Sequence, residues 1–383
     1  MSRKIYLDNN ATTQIDRRVV QTLSRAMEQH YGNPSSIHWC GRDARHQLIH
    51  SRDFIAQFFG VKPQEILFTS SGTEGANMVL QGILRGALST PTSPSRSHII
   101  SSDVEHPCVY STLKKLEKNG HQVTFLPAGQ WGAITLEAIQ SVLQPNTRLI
   151  TLMAVNNETG VKSDIPAIAA WAHQAGIPFC VDGVSWLGKE IFSLPLGISA
   201  IWFSGHKFHG PKGCGFTILR RSLKVDPLIL GGEQEYGRRG GTEDLPGIMG
   251  LAHALELVKM ELPAATERME RLRDKLESAL IEQLSDVTVA GKGPRICNTL
   301  NMAFDKVDGE TLLTYLDREG IAVSHGSACS SGALEPSRVL LNMGVPLALA
   351  RSSLRFSLSR LTTEKEIDET IEILVQTVRR LRR

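Results

Sequence analysis

The sequence predicts an α/β protein with a large domain on a mainly parallel, seven-stranded sheet and a smaller α+β domain after it. Three observations carry this. Between Glu65 and Leu219, short apolar runs bounded by turn residues alternate with stretches of helical spacing, the pattern of a sheet covered on both faces. Two of those runs end in groups that are costly to bury: Phe179 to Asp182 ends in a carboxylate, and Ala200 to Phe203 leads into Ser204-Gly205-His206-Lys207. Beyond Leu262-Pro263 the pattern changes to one long helix and a mixed region. The expected division is 15–262 for the large domain and 263–383 for the small one, which the N-terminal segment 1–14 joins.

In chain order, Ile5 to Leu7 reads as a short strand, and Asp8-Asn9-Asn10-Ala11-Thr12-Thr13 as a turn cluster. Helical spacing follows from about Asp16 to Tyr31, is broken by Gly32-Asn33-Pro34-Ser35-Ser36, and returns from about Gly41 to Phe59. Strands are expected from Glu65 to Thr69, His98 to Ile100, Gln122 to Phe125, Leu149 to Met153, Phe179 to Asp182, Ala200 to Phe203 and Phe216 to Leu219. Between the first two, Ser70 to Asn77 opens a helix that runs to about Leu84. In the second half a helix is expected from Ala264 to Leu284, with Met269, Leu272, Leu276 and Leu280 on one face. Strand near Asn298 to Phe304, helix near Gly309 to Leu316 and strand near Ser353 to Leu358 follow. The last helix opens on Thr363 with Glu366 three residues on, a capping box, and carries Ile367, Ile371, Leu374, Val378 and Leu381 at helical spacing.

Length and charge bound the function. A chain of 383 residues with a formal net charge of +3 has room for two domains and no general basic surface for nucleic acid or membrane. The basic end, Arg379 to Arg383, closes a helix where cations suit the helix dipole. No signal peptide pattern and no window of membrane-span length is present, so a cytoplasmic protein is expected. The six cysteines, Cys40, Cys108, Cys180, Cys214, Cys297 and Cys329, include no CxxC pair, which points to reduced thiols and no metal site.

A lysine at a buried strand end suits a covalent bond to an aldehyde cofactor, which removes the ammonium charge. Pyridoxal phosphate needs such a lysine and an acid that keeps its pyridine nitrogen protonated, so Lys207 and Asp182 form a candidate pair. On their own, two strand-end residues are commonplace. Ser71-Gly72-Thr73, between a strand and a helix, offers a phosphate site or a plain N-cap. Arg239-Gly240-Gly241-Thr242 offers a second hydroxyl-bearing loop that reaches a phosphate from a partner subunit. His106 lies on the same expected sheet edge, able to stack on a pyridine ring and move protons, though lone histidines are more often structural. Asn157, in Asn156-Asn157-Glu158, either bonds the cofactor ring oxygen or caps a turn. Cys329 lies among small polar residues, Ser324 to Ala333, and is the best candidate for an exposed, reactive thiol. Its rival Cys108 has apolar neighbours that favour a structural role. Arg355, inside an apolar strand pattern, suits two-point binding of a carboxylate or a buried salt bridge.

With these motifs in place the chain resembles the cysteine desulfurases of the NifS/IscS type, pyridoxal-phosphate enzymes of the aminotransferase class V family. The resemblance runs from Tyr6-Leu7-Asp8 to the final helix. Along it Tyr31-Gly32-Asn33-Pro34-Ser35-Ser36, Glu105-His106, Val155-Asn156-Asn157-Glu158, Ser204-Gly205-His206-Lys207 and Gly326-Ser327-Ala328-Cys329 stand in the family's order. It implies a fold type I transferase that binds pyridoxal 5'-phosphate and takes sulfur from L-cysteine. Lys207 then holds the cofactor and moves the Cα proton, Asp182 pairs with the pyridine nitrogen, and His106 stacks on the ring as acid or base. Gly72, Thr73, Ser204 and His206 hold the phosphate, with Thr242 reaching in from the second subunit of a homodimer. Asn157 faces the ring, Arg355 and Asn33 bind the substrate carboxylate, and Cys329 receives the sulfur. It passes that sulfur to an acceptor or scaffold protein in iron–sulfur cluster assembly, or toward tRNA thiolation, with no direct nucleic-acid contact. The family's glutamine three residues after the aspartate is Ser185 here, too short to reach the ring oxygen except through a water. Two other classes stay open: another class V enzyme, such as a selenocysteine lyase or aminotransferase, and a non-catalytic sulfur-relay or scaffold subunit.

Overall fold

A computed structural model describes residues 4–88, 97–326 and 335–383. The chain opens with β1 (Ile5–Tyr6), α1 (Arg17–Gln29) and α2 (Trp39–Phe59). Alternation then sets in: β2 (Ile66–Thr69), α3 (Gly72–Leu88), β3 (His98–Ser102), α4 (Pro107–Lys118), β4 (Gln122–Leu126), α5 (Leu136–Ser141), β5 (Thr147–Met153), α6 (Ile165–Ala175), β6 (Phe179–Asp182), β7 (Ile198–Ser204) and β8 (Gly215–Leu219). The second half contains α7 (Leu245–Gln283), β9 (Val287–Val289), β10 (Thr299–Phe304), α8 (Gly309–Arg318), β11 (Ile321–Ala322), α9 (Arg338–Asn342), α10 (Leu347–Arg351), β12 (Ser353–Ser357) and α11 (Glu364–Leu381).

The seven expected strands form one sheet in the order β2-β8-β7-β6-β5-β3-β4. Strand β8 pairs antiparallel with both neighbours, and the other pairings are parallel. A short return from β7 imposes that reversal, because a parallel partner needs a long crossover. The inner strands β5, β6 and β7 are largely apolar and buried, as a sheet covered on two sides requires: Ile150, Phe179, Val181, Ile201, Trp202 and Phe203 have almost no exposure. Parallel strands deliver their C-terminal ends to one edge, and in open α/β sheets that edge is where ligands bind. Strands β3, β5, β6 and β7 thus present His106, Asn157, Asp182 and Lys207 along one rim, with Met153 level with Asp182 and Asp182 level with Trp202.

The second half builds an antiparallel sheet β12-β10-β9, and β11 pairs with β1. Within residues 5–14, the N-terminal segment makes contacts with this part. Asp8 bridges Ser357, the Asn9 amide donates to the Ser357 carbonyl at 2.8 Å, and the Asn10 amide donates to Thr299 Oγ1 at 2.9 Å.

One expectation fails here. The helix expected to begin at Ala264 starts at Leu245, and Pro263 lies inside it, so no break in the helix marks the change at Leu262-Pro263. A proline removes one helical hydrogen bond, but its ring is exposed, while Leu251, Leu255, Leu262, Met269, Leu272, Leu276 and Leu280 keep one buried stripe across it. The N-terminal half of α7 packs on α1, with Gly250 against Leu23 and Val19. Its C-terminal half packs on α11, where Lys275 pairs with Glu364 at 3.0 Å and Asp368 at 2.5 Å. The last helix has its expected capping box at Thr363 and Glu366. The terminal arginines cap carbonyls, Arg379 that of Gln283 at 2.9 Å and Arg382 that of Ser285 at 2.6 Å.

Candidate active site

A cavity of roughly 180 Å³ lies over the C-terminal rim of the large sheet. Its walls include Gly72, Thr73, His106, Asn157, Asp182, Ser185, Ser204, His206 and Lys207, nine of the expected site residues, supplied by five separate turns. A wider groove of about 1320 Å³ against α1 and the turn after α8 contains none of them.

Helix α3 forms one wall, beginning at Gly72, so its first N–H groups have no acceptor within the helix. A Cβ on Gly72 would stand 2.6 Å from Val184 Cγ2, so a glycine is needed to bring that backbone to the rim. Across from it, Asp182 is buried and its Oδ1 accepts the Val184 N–H at 3.0 Å. Burial holds its carboxyl above the usual carboxylate range, against the pull of nearby His106. His106 caps α4: its Nδ1 accepts the Cys108 N–H at 3.2 Å and lies 3.0 Å from Cys108 Sγ. With Nδ1 accepting, the proton of the neutral ring sits on Nε2. Burial pushes His106 below its ordinary value and opposes a charge there.

Lys207 reaches from the turn after β7 toward the N-terminal segment. Its Nζ donates to the carbonyls of Asn10 and Ala11, the latter at 3.0 Å. Threonines of the same segment brace its neighbour: Thr12 Oγ1 lies 3.1 Å from His206 Nδ1, and Thr13 Oγ1 donates to the His206 carbonyl at 2.9 Å. Burial, followed by Lys207, Lys189 and Lys212, pushes His206 down to about 4 and keeps it neutral.

Four expected residues stand apart. Arg355 is buried but does not wall the cavity; its Nη2 donates to Asp8 Oδ1 at 2.7 Å and its Nη1 to the Asn157 carbonyl at 3.0 Å, the salt-bridge alternative. Its Nε has no partner among the described residues. Asn33 is exposed, and its Oδ1 accepts the Ser35 N–H at 2.8 Å. Thr242 is exposed and lines a separate small cavity with Arg239 and Cys214. Cys329 lies outside the described residues. Among these, no cluster of three metal-ligating side chains occurs, and no helix is long and apolar enough to cross a membrane.

Two neighbours escaped the sequence reading, and a third, Cys108, stood there only as the rival thiol to Cys329. Cys108 walls the cavity and touches His106, whereas its apolar neighbours favoured a structural role; a helix start turns its first residues to the rim whatever follows. Lys189 is buried and donates to the Lys207 carbonyl. Asp8 holds Arg355, and only its place in a turn cluster marked it.

The cavity suits pyridoxal phosphate on its own chemistry: a buried acid, a lysine across from it, and helix N–H groups with hydroxyls for a phosphate.

Comparisons with known proteins agree. The profile of the Aminotransferase class-V family matches residues 5–370. A cysteine desulfurase of Nostoc sp. is 42% identical over 380 residues, covering 99% of this chain and 94% of that protein. A solved structure described as a NifS-like protein superposes with a TM-score of 0.90 at 34% identity, covering 98% of this chain and all of its own. Another, SspA in complex with cysteine, does so with a TM-score of 0.81 at 30% identity, covering 94% and 100%.

Proposed function

The chain belongs to the aminotransferase class-V family and is a pyridoxal-phosphate enzyme of the cysteine desulfurase type, and from that premise we propose which of its residues carry the reaction. It takes sulfur from L-cysteine, giving L-alanine and a persulfide on Cys329. The carrying observation is that Lys207, Asp182 and the start of α3 wall one cavity.

When bound, pyridoxal phosphate supplies the electron sink that lets the bonds at cysteine Cα and Cβ be cleaved. The chain does the rest. Gly72 and Thr73 at the helix start, with Ser204 and His206, would hold the phosphate, and Asp182 would pair with the pyridine nitrogen. Lys207 would carry the cofactor, and its amine would move the Cα proton. His106 would stack on the ring and serve as acid or base. Asn157 and Ser185 would serve the ring oxygen, Ser185 through a water. Arg355 and Asn33 take the substrate carboxylate, in which role the entering carboxylate competes with Asp8 for the guanidinium. The Cys329 thiolate attacks the cysteine sulfur; an S–S bond forms, the Cβ–S bond breaks, and Cβ gains a proton as alanine leaves.

The finer reading is a cytoplasmic homodimer that passes sulfur to an iron–sulfur scaffold protein or toward tRNA thiolation. Support for the dimer comes from Thr242, exposed and away from the cavity walled by Lys207, and from Tyr31, Ile37 and Trp39, which are 69%, 85% and 69% exposed beside Asn33.

The test is a single turnover with L-cysteine, read by mass spectrometry and alanine release. One added sulfur is expected on the peptide containing Cys329. The Cys329→Ser variant should still bind cysteine, seen as a spectral shift, yet yield no persulfide and little alanine. Alanine released at the wild-type rate by that variant would favour a lyase or aminotransferase. Absence of visible cofactor absorbance in the purified protein would favour a non-catalytic subunit.

A further inference from the structure

We infer that Lys189 is a positioning residue for Lys207: its buried side chain clamps the backbone carbonyl of the cofactor lysine and sets the charge next to the Lys207 amine. The inference rests on the reading that Lys207 carries the cofactor.

Lys189 lies in the loop after β6 and is 4% exposed. Its Nζ donates to the Lys207 carbonyl. The backbone of Lys189 is fixed from two other sides, since its own carbonyl accepts Thr266 Oγ1 of α7 at 2.9 Å and Cys297 Sγ, just ahead of β10, at 3.1 Å. One residue thus ties the cofactor turn to the long helix and to the second sheet.

Among the described residues Lys189 forms no ion pair with a carboxylate. Its acidic neighbour in sequence, Glu190, pairs with Lys162 at 3.2 Å. The titratable groups whose fields it shares are Lys207, His206 and His209 on the turn after β7 and Cys297 from the far side. A lysine buried without an acid is costly to keep. Burial, and after it Lys207, pushes Lys189 down to about 7, so it exchanges its proton near neutral pH. Coulomb coupling is mutual: a charge on Lys189 disfavours a charge at Lys207 Nζ. A lysine that must act as a free amine at neutral pH gains from such a neighbour.

The experiment compares cofactor-loaded wild type, Lys189→Met and Lys189→Arg. Visible absorbance of the lysine-bound cofactor is titrated from pH 5 to 10, melting is recorded, and the attachment site is mapped after borohydride reduction. A second readout is the rate at which cofactor-free protein takes up pyridoxal phosphate at pH 7. Lys189→Met should move the spectral midpoint upward by roughly half a unit or more and slow uptake several-fold, because Lys207 holds its proton more tightly. Lys189→Arg, with a permanent charge, should keep the midpoint at or below that of wild type. If Lys189→Met does not fold, Lys189→Gln keeps a donor without the charge and its midpoint decides in the same way. A neutral variant loaded on Lys207 with the wild-type midpoint overturns the inference, even if it melts lower. Wild type labelled on a lysine other than Lys207 instead overturns the reading on which it rests.

Discussion

Cys108 shows how a single side chain changes meaning once its surroundings are known. In the sequence it stands before Val109 and Tyr110 and looks structural; in the fold its Sγ lies 3.0 Å from His106 Nδ1 on the cavity wall. Position alone does not make it a nucleophile. Burial, then the charges of Asp182 and Glu105, pushes its thiol well above the ordinary range, so it remains protonated. Burial does the same to Cys180 and Cys214, and pushes Cys297 up to about 12. An alkylating reagent at pH 8 should therefore modify the peptide containing Cys329 well before any peptide containing these four, as quantitative peptide mapping would read. Faster labelling at Cys108 would make it the rival thiol after all. The residues legible in the sequence were those whose strand ends or turns announce them, Asp182, Lys207 and His106 among them. Lys189 and Asp8 were not, because a partner brought in from elsewhere in the chain defines each of them.

At the scale of elements, hydrophobic period and turn residues sufficed for all seven strands of the large sheet. They did not reveal β9 and β11, with three and two residues; so short a run has no period to read, and β1, equally short, was legible only beside the turn cluster that follows it. Pro263 misled for a related reason: proline marks a helix boundary on average, but a long buried stripe overrides it. That override has a measurable cost. Pro263→Ala should stabilise the protein by about 1–3 kcal/mol in denaturant unfolding, because an exposed position regains a helical hydrogen bond. A loss of stability would mean that the neighbouring turns of α7 are adapted to the proline. The seating of α3 gives the opposite case. A Cβ on Gly75 would stand 2.4 Å from Thr217 Oγ1 and 2.8 Å from Trp202 Cβ. Gly75→Ala should push the helix off β7 and β8, cost about 1–3 kcal/mol and weaken uptake of pyridoxal phosphate, since the start of that helix is the proposed phosphate wall. Wild-type stability together with wild-type affinity in calorimetry would show that α3 tilts freely.

For the whole molecule, buried charge sets how stability follows pH. Asp16 pairs with Arg18 at 2.8 Å and Arg360 at 2.5 Å, joining the start of α1 to the segment before α11, and Glu261 of α7 takes both arginines as well. The hydrogen bond from Arg18, and then that from Arg360, holds the Asp16 carboxyl well below the usual range. Its contribution is present above the ordinary carboxylate pKa and is lost as pH falls. Glu105 works the other way. Its Oε1 accepts Ser102 Oγ at 2.6 Å and the Met153 N–H at 3.0 Å, its Oε2 has no partner among the described residues, and burial raises it to about 8. The folded state therefore holds a proton that the unfolded chain releases near pH 4.5, and stability falls as pH rises from there to about 8. Glu105→Gln keeps the shape and cannot ionise. Lys189, depressed to about 7, adds an opposite slope above neutrality, which cancels when variant and wild type are compared at each pH. The unfolding free energy of Glu105→Gln relative to wild type should thus climb between pH 6 and pH 9 by about 1–3 kcal/mol, at 1.4 kcal/mol per unit of pKa displacement. A flat difference across that range would place the Glu105 proton elsewhere and leave the turn that carries His106 without its neutral brace.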